Sequence, residues 1–528
     1  MWQNDWRDRT WSTLEQPWDL IVIGGGITGA GILREARRAG LRVLLVEADD
    51  FGSGTSSRSS KLVHGGFRYL KNAQIRLTLQ SVRERERLLK EGRGLVSPLG
   101  ILLATFKGDA IPGWVFGAGL ILYDLLALKW GHRPYDAYDM RELCAILTEE
   151  GLSGGYRYFD AQTDDARLVL RVIEEAVQDG AVALNYARVS VLLRQRSGQV
   201  CGVQIQDQTP DHPSRTAEVK ASMVINATGA WADDLRGQLG QRSRLRKLRG
   251  SHLIIPAERL PLTRSVSFLH PQDGRPVFAF PWEGVTLVGT TDEDHEFPLD
   301  IEPAISPGEV EYLLKAVQVT FPVQELDLKD IQGTFSGVRP VVNTGKADPS
   351  KESREHVFWL EKGLLTVTGG KLTTFRLMAH DALERTRSHL PGKPEFDPDQ
   401  RVLAEPPDFT SSIEGLTPSA RLRLLGRHGA NAPHLLAAAQ PGELEPIGRS
   451  FSLWAELRWA ARSEAVVHLD DLLLRRVRLG LLLPEGGLHH LAAIRSIVQP
   501  ELGWDDARWE QEAASYISLW KQCYSLPG

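Results

Sequence analysis

Short apolar runs alternate with amphipathic stretches over the first fifty residues, and that alternation predicts a βαβ unit. Residues 19–23 read as a strand, 27–39 as a helix with apolar positions three and four apart, and 41–47 as a second strand. A doubly wound sheet starts here. Residues 74–90 predict a helix whose Arg83, Glu84, Arg85, Glu86 and Arg87 form a solvated face, with local ion pairs such as Glu86 to Lys90.

Residues 165–178 predict another helix, closed by Gly180, and the alternating runs 189–193 and 200–206 predict a hairpin. A strand at 223–225 runs into Asn226-Ala227-Thr228-Gly229. Strand-like pieces at 253–255, 277–280 and 285–289 predict a mainly antiparallel sheet that faces a substrate. A strand at 364–368 leads through Gly369 and Gly370 to a helix from about Leu372, so the chain returns late to its first domain. Beyond Pro391, Pro394 and Pro398 the residues shift to Leu, Ala and Arg, with amphipathic periodicity in 454–467 and 472–483. That predicts a helical C-terminal domain.

The most apolar stretch, 101–106 with 111–130, contains Trp114, Phe116, Leu120, Ile121, Leu122, Leu125 and Leu126. A spanning helix needs about 20 predominantly apolar residues. This stretch reaches that length only by including Pro112, three glycines and Asp124, so a buried or interfacial segment is expected.

A chain of 528 residues exceeds one core, so two or three domains are expected. The net charge of −5 offers no general field for nucleic acid. Cys144, Cys201 and Cys523 are far apart, which suits neither a zinc cluster nor a disulfide framework and fits a reducing, cytoplasmic setting. The first ten residues lack the apolar core of a secretory signal. Trp2, Trp6 and Trp11 are expected to pack or fray.

Gly24-Gly25-Gly26-Ile27-Thr28-Gly29 fits G-x-G-x-x-G between the first strand and helix. Gly24 allows the tight turn, Gly26 lets the backbone approach a diphosphate, Gly29 lets helix and strand pack, and the helix N-terminus attracts the anion. Glu47 ends the second strand, where a carboxylate accepts from ribose hydroxyls and repels a ribose phosphate, favouring NAD or FAD over NADP. Residues 55–70, Thr-Ser-Ser-Arg-Ser-Ser-Lys-Leu-Val-His-Gly-Gly-Phe-Arg-Tyr-Leu, follow directly with hydroxyls, two glycines and basic side chains. Such a run suits an anionic cofactor beside a second small anion.

Further small residues at Asn226-Ala227-Thr228-Gly229 and Gly369-Gly370-Lys371-Leu372-Thr373-Thr374 suit a larger cofactor crossing the sheet. Together with Arg249-Gly250-Ser251-His252 and Ser336-Gly337-Val338-Arg339-Pro340, the set resembles the FAD-dependent glycerol-3-phosphate dehydrogenase family, within the amino-acid oxidase-like flavoproteins. The likeness extends from Asp19 to about Leu483 and includes Thr-Asp-Asp-Ala-Arg-Leu at 163–168; Phe67 and Thr28 stand where leucine and asparagine are frequent.

The resemblance implies an α/β protein with a Rossmann-like FAD-binding domain (16–95, 150–235 and 336–390), an antiparallel-sheet substrate domain (96–149 and 236–335) and an α-helical C-terminal domain (395–528). Cofactor contacts are then expected from Thr55, Ser56, Ser57, Ser60, Lys61, Leu62, His64, Gly65 and Gly66, from Ala227, Thr228 and Gly229, and from Gly370, Lys371, Leu372 and Thr373. Within 55–70, Ser57 to Lys61 are expected on the flavin side, and Arg68 and Tyr69 on the substrate side. His64 is expected beside the flavin as a structural neighbour.

The implied substrate, glycerol 3-phosphate, needs its phosphate held so that C2 faces the flavin, a task suited to forked guanidinium groups. Arg68, Arg339 and Lys371 are the candidates, with Tyr69 as a hydroxyl donor. Arg339 read alone could equally pair with a buried carboxylate. His252 is the expected base for the C2 hydroxyl, and Arg339 could also stabilise developing alkoxide charge. No metal is expected. The resemblance further implies electrons passed to a quinone at the inner face of a membrane; an oxygen-using glycerol-3-phosphate oxidase, an amine oxidase and a non-catalytic flavin sensor are the alternatives. The apolar faces of the C-terminal helices suit either a homodimer or their own core.

Overall fold

The computed structural model describes residue 2, residues 5–67, 75–109, 111–346, residue 352, and residues 355–407 and 415–528. Trp18–Ile23, an apolar run with almost every side chain buried, lies between Val43–Val46 and Thr216–Asn226, parallel to both. Burial on both faces is what selects such runs for the middle of a parallel sheet. The same sheet continues through Leu364–Thr368 to Val357–Glu361 on one side and to Val182–Leu184 on the other. The expected hairpin, Ala187–Arg194 with Val200–Asp207, extends it from Thr216–Asn226.

Helix Ile27–Arg38 starts directly from Gly26 and packs on helices Asp165–Gln178 and Phe375–Thr386. Asp164 caps the second of these by accepting from the Arg167 amide. The late return to the nucleotide sheet is therefore built in. The helix expected near Leu372 begins as a 3₁₀ turn, Leu372–Thr374, before Phe375.

A second sheet stands beside the first. Its strands run Leu245–Pro256, Val285–Gly289, Pro276–Trp282, Ser265–Leu269, Val96–Phe106 and Leu152–Thr163, with Gly333–Val342 along the other side of Leu245–Pro256. Pairing is antiparallel except between Ser265–Leu269 and Val96–Phe106. Leu152–Thr163 and most of Gly333–Val342 thus join the second sheet, although the sequence groups them with the nucleotide region. Their partners lie far away in the chain, and local pattern carries no such pairing.

Three expectations change. The charge run in helix Ile75–Glu91 is not a uniform solvated face: Arg83 is exposed, but Glu84 and Arg85 are buried. Glu84 holds Arg376, and Arg85 holds Asp160 at 2.6 Å. Glu86 pairs with Arg85 and Lys129 rather than Lys90. The amphipathic helix at 472–483 is instead a π-helical turn, Asp471–Arg476, and a short helix, Leu479–Leu482, buried on every side. Arg475 and Arg476 leave solvent to bond Asp50, each at 2.6 Å. Helix Trp454–Ser463 stops before 467 because Glu464 turns inward to Arg167.

The C-terminal helices are thereby riveted onto the nucleotide side. Arg427 reaches Asp164, and Arg478 reaches Asp165 and the Ser57 carbonyl. A buried charge is tolerable only when paired and hydrogen-bonded, so these links fix how the two regions meet. At the N-terminus, Trp2 and Trp11 are buried, with Trp2 stacked on Phe51.

Helix Gly113–Ala127 forms where the sequence suggests a buried or interfacial segment, and it is partly buried and partly exposed. Leu120 and Tyr123 face the core, whereas Trp114, Leu125, Leu128 and Trp130 are between 59 and 91 % exposed. Among the described residues no helix is long and apolar enough to cross a membrane.

Candidate active site

A cavity of about 1590 Å³ opens between the two sheets. Gly24, Gly26, Glu47, Thr55, Ser56, Ser60, Leu62, His64, Gly66, Ala227, Thr228, Gly229, Gly370, Lys371, Leu372 and Thr373 all line it, together with His252 and Arg339. Segments spread over more than three hundred residues therefore meet at one site. Arg68 and Tyr69 lie outside the described residues.

The glycine turn serves the close approaches expected of it. A β-carbon on Gly29 would stand 1.9 Å from the Gly24 carbonyl oxygen, so only glycine lets the helix sit this near the strand. Gly24 takes a positive φ beside the Ala227 carbonyl. Glu47 is tied to the turn: its carboxylate accepts from the Gly25 amide at 2.6 Å and the Asp49 amide at 3.0 Å. Loss of solvation, then the charge of Asp49, pushes its pKa up to about 7 against the pull of those amides.

The hydroxyl-rich run holds itself to the protein more than it offers free groups. Thr55 donates to the Val338 carbonyl, Ser56 accepts from the Ile27 amide at the helix start, and Ser59 bonds Asp165 through both its amide and hydroxyl. Ser57, Lys61 and Gly65 stand behind the cavity wall. Lys61 corrects the expectation of an anion ligand: it is fully buried, its Nζ 3.0 Å from Asp165 and 3.1 Å from the Ser57 carbonyl, between the rings of Trp282 and Phe335. Burial, then Arg478, pushes its pKa down to about 8. Its partner Asp165 lies 104 residues on, so the short sequence run alone suggests a surface cation.

His64 joins the late loop, its amide donating to Thr373 Oγ1 at 3.2 Å. Gly65 donates to Asp160, which also receives Arg85 and the Tyr123 hydroxyl. The strap 62–67 is thus fastened on both sides of the cavity wall.

His252 lies in strand Leu245–Pro256, stacked on Phe335 at 4.5 Å. Its Nε2 is 2.9 Å from Ser60 Oγ, and among the described residues its buried Nδ1 has no hydrogen-bond partner. Burial, then Lys61 and Arg339, holds its pKa well below the ordinary histidine value, so the ring is neutral at neutral pH.

Arg339 lines the cavity and pairs with a buried carboxylate, Asp292, at 3.0 Å. Nη2 also donates to Thr290 Oγ1 and the Thr291 carbonyl. Asp292 is shared with Arg275, a second cavity-lining guanidinium, at 3.2 Å. Lys371 Nζ donates to Ser81 Oγ at 2.9 Å. Sequence reasoning missed Asp292 and Arg275; the polar turn Thr290-Thr291-Asp292, ending an apolar strand, was the available signal.

Beyond these cations the cavity turns apolar. Phe67, Leu103, Val115, Phe116 and Leu122 line it, and Val115 and Leu122 are also exposed on helix Gly113–Ala127. Polar recognition and an apolar approach thus share one space.

A family model described as FAD dependent oxidoreductase matches residues 19–376, and one described as C-terminal domain of alpha-glycerophosphate oxidase matches residues 377–509. Aerobic glycerol-3-phosphate dehydrogenase of Staphylococcus haemolyticus is 34% identical over 489 residues, 87% of this chain and 86% of that one. That of Staphylococcus saprophyticus is 34% identical over 491 residues, 88% and 87% of the two chains. The structure of glycerol-3-phosphate dehydrogenase from Bacillus halodurans, complexed with FAD, aligns with a TM-score of 0.79 and 27% identity over 99% of this chain and 98% of that one. L-alpha-glycerophosphate oxidase from Mycoplasma pneumoniae, at 18% identity and a TM-score of 0.59, covers 75% of this chain and 100% of its own, a likeness of fold.

Proposed function

The chain belongs to the family of FAD-dependent oxidoreductases, and from that premise we propose that it oxidises sn-glycerol 3-phosphate at C2 to dihydroxyacetone phosphate. The observation that carries this reading is the convergence of Arg339, Lys371 and His252 on the cavity that the dinucleotide turn opens into. FAD, when bound, supplies the oxidant that takes the C2 hydrogen with its electron pair.

The residues present fit that cofactor. At Gly26 a β-carbon would occupy the cradle, 3.1 Å from Ser56 Oγ, and the N-terminus of helix Ile27–Arg38 points into the same space. Gly24, Gly26 and the start of the helix at Ile27 and Thr28 would hold the diphosphate and Glu47 the ribose. Thr55, Ser56, Leu62, His64, Gly66, Ala227 to Gly229 and Gly370 to Thr373 would form the remaining wall, with Thr373 bonded to the strap at His64.

Arg339 and Lys371, with Arg68 and Tyr69 of the adjoining segment, would bind the phosphate and orient C2. An ionised guanidinium prefers an anionic guest, so a phosphorylated alcohol fits this wall better than an amine. His252, neutral in the resting protein, would accept the hydroxyl proton as C2 loses hydride.

For the acceptor, the apolar side of the cavity and the exposed apolar helix supporting it favour a lipid-soluble quinone over oxygen. The same helix supports a peripheral position on a membrane surface, since exposed apolar surface marks an interaction site. Anaerobic addition of glycerol 3-phosphate should bleach the flavin of the purified protein, and a quinone analogue should reoxidise it. Bleaching by an amine or hydroxy acid instead would overturn the substrate; peroxide release with no quinone reduction would overturn the acceptor.

A further inference from the structure

Ser60 and His252 form a pair whose geometry goes beyond binding. The imidazole is 1 % exposed, packed flat on Phe335 and pressed against Gly289, where a β-carbon would meet Cδ2 at 2.2 Å. Among the described residues Nδ1 is buried without a hydrogen-bond partner, so exchange with the cavity runs through Nε2, and Nε2 faces the Ser60 hydroxyl at 2.9 Å. Ser60 itself lines the cavity.

The residues on either side of Ser60 are anchored, which fixes its backbone. Ser59 is bound to Asp165 by its amide at 2.9 Å and its hydroxyl at 2.8 Å, the Lys61 amide donates to Ser59 Oγ at 3.0 Å, and Lys61 Nζ is anchored to the same Asp165. A serine hydroxyl has one proton to give and lone pairs to receive another. It can therefore accept from the cavity and donate to the ring in the same event.

We propose that Ser60 relays the substrate hydroxyl proton to His252, which makes it a working part of the oxidation rather than a cofactor contact. This rests on the alcohol-oxidation reading above. The substrate O–H bond breaks as its proton passes to Ser60 Oγ, and the Ser60 proton passes to His252 Nε2. The electron pair left on oxygen becomes the second bond of the carbonyl while C2 gives hydride to the FAD oxidant. Charge is conserved: the ring ends with one additional proton and Ser60 is unchanged. The neutrality of His252 leaves the ring able to offer Nε2 as an acceptor beforehand.

The test uses the holoenzyme and two variants, Ser60→Ala and Ser60→Thr, in anaerobic stopped-flow reduction with saturating glycerol 3-phosphate in H₂O and D₂O. A positioned base or relay contributes roughly 10²–10⁴-fold. Ser60→Ala should keep its FAD content and lose about a hundredfold in limiting reduction rate, while Ser60→Thr, which keeps the hydroxyl, should recover to within about tenfold of wild type. A solvent isotope effect seen in wild type should fall in Ser60→Ala. Independently, ¹⁵N-histidine spectra of the resting protein, with His252→Gln to assign the signal, should place the proton of His252 on Nδ1 and leave Nε2 accepting.

Wild-type reduction rates in Ser60→Ala, or a protonated Nε2 in the neutral resting ring, would overturn the relay alone. Absence of any reduction of the wild type by glycerol 3-phosphate overturns the functional reading, and the relay with it. If Ser60→Ala loses FAD or does not fold, Ser60→Thr and the nitrogen spectra still decide: a slow Ser60→Thr without a solvent isotope effect counts against the relay.

Discussion

Arg339 lays its guanidinium where Gly250 has no side chain: a β-carbon at Gly250 would stand 1.7 Å from Nη2 and 2.7 Å from Thr290 Oγ1. The two residues lie diagonally across paired strands, Leu248 being opposite Arg339 and Gly250 opposite Gly337. Gly250→Ala should therefore fold and retain FAD, because a flexible guanidinium can move, yet displace the cation from its bonds to Asp292 and Thr290. Charge-assisted bonds of this kind are worth about 1.5–3 kcal/mol, so flavin reduction by glycerol 3-phosphate should lose roughly ten- to a hundredfold in apparent second-order rate constant. Wild-type kinetics in this variant would contradict a substrate role for Arg339.

Removal of the cations themselves should separate cofactor from substrate. Arg339→Ala and Lys371→Ala should each bind FAD at wild-type stoichiometry and lose substrate-driven bleaching by about a hundredfold or more, because a phosphate dianion then has no fixed partner. Absorbance spectra give flavin content, and anaerobic mixing gives the rate. Flavin loss with unchanged reduction per bound flavin would assign the residues to the cofactor instead.

Lys61 should behave as a structural rivet. Removing one partner from a buried ion pair costs about 3–5 kcal/mol, and Arg478, also bound to Asp165 at 3.1 Å, should keep the loss near the lower end. Lys61→Met should lower unfolding stability by about 3 kcal/mol in denaturant titration. FAD affinity should change little in the folded fraction. A stable variant with weakened FAD binding would restore the anion-ligand role that its burial contradicts.

These cases mark where the sequence is legible. The turn at Gly24 to Gly29, the strand Leu364–Thr368 and the cavity-lining Arg339, Lys371 and His252 stand out because glycines, apolar runs and short motifs are local signals. The purposes of Ser59, Lys61 and Glu84 are not local: their partners Asp165 and Arg376 are 106, 104 and 292 residues away. A charge run reads as solvated until the fold supplies the opposite charge. For the same reason Gly250 was legible as part of a motif, but its use as space for Arg339 required the pairing of two distant strands.

Glu47, on the cavity wall, makes the FAD-free protein sensitive to pH. Its pKa, raised from 4.5 to about 7 chiefly by burial, means that the folded protein keeps a proton the unfolded chain has already released between these values. The stability it contributes is complete below the unfolded value and is lost as pH rises through the folded one. The melting temperature of FAD-free protein should fall between about pH 5 and pH 8, and Glu47→Gln should flatten that part of the profile. FAD affinity should rise over the same range as the carboxylate ionises and accepts more strongly from hydroxyl donors; an affinity independent of pH in wild type would remove Glu47 from the ribose site.

The exposed helix offers a test that leaves the catalytic groups untouched. Trp114, Leu125 and Leu128 are 72, 59 and 91 % exposed on a segment whose Asp124 is turned inward to His132 at 2.7 Å. Asp124 is the one charged residue of helix Gly113–Ala127 and Lys129 beyond it pairs with Glu86, so attraction to a bilayer should come from apolar burial rather than from anionic headgroups. Burying one large apolar side chain is worth about 1.5–3 kcal/mol. Trp114→Glu combined with Leu125→Glu should therefore weaken binding to neutral phosphatidylcholine vesicles by roughly a hundredfold or more while reduction of a soluble dye stays at the wild-type rate. Because Val115 and Leu122 of the same helix also line the cavity, vesicle-embedded quinone should lose reduction in parallel with vesicle binding. Full quinone reduction by a variant that no longer binds vesicles would place the acceptor's entrance elsewhere.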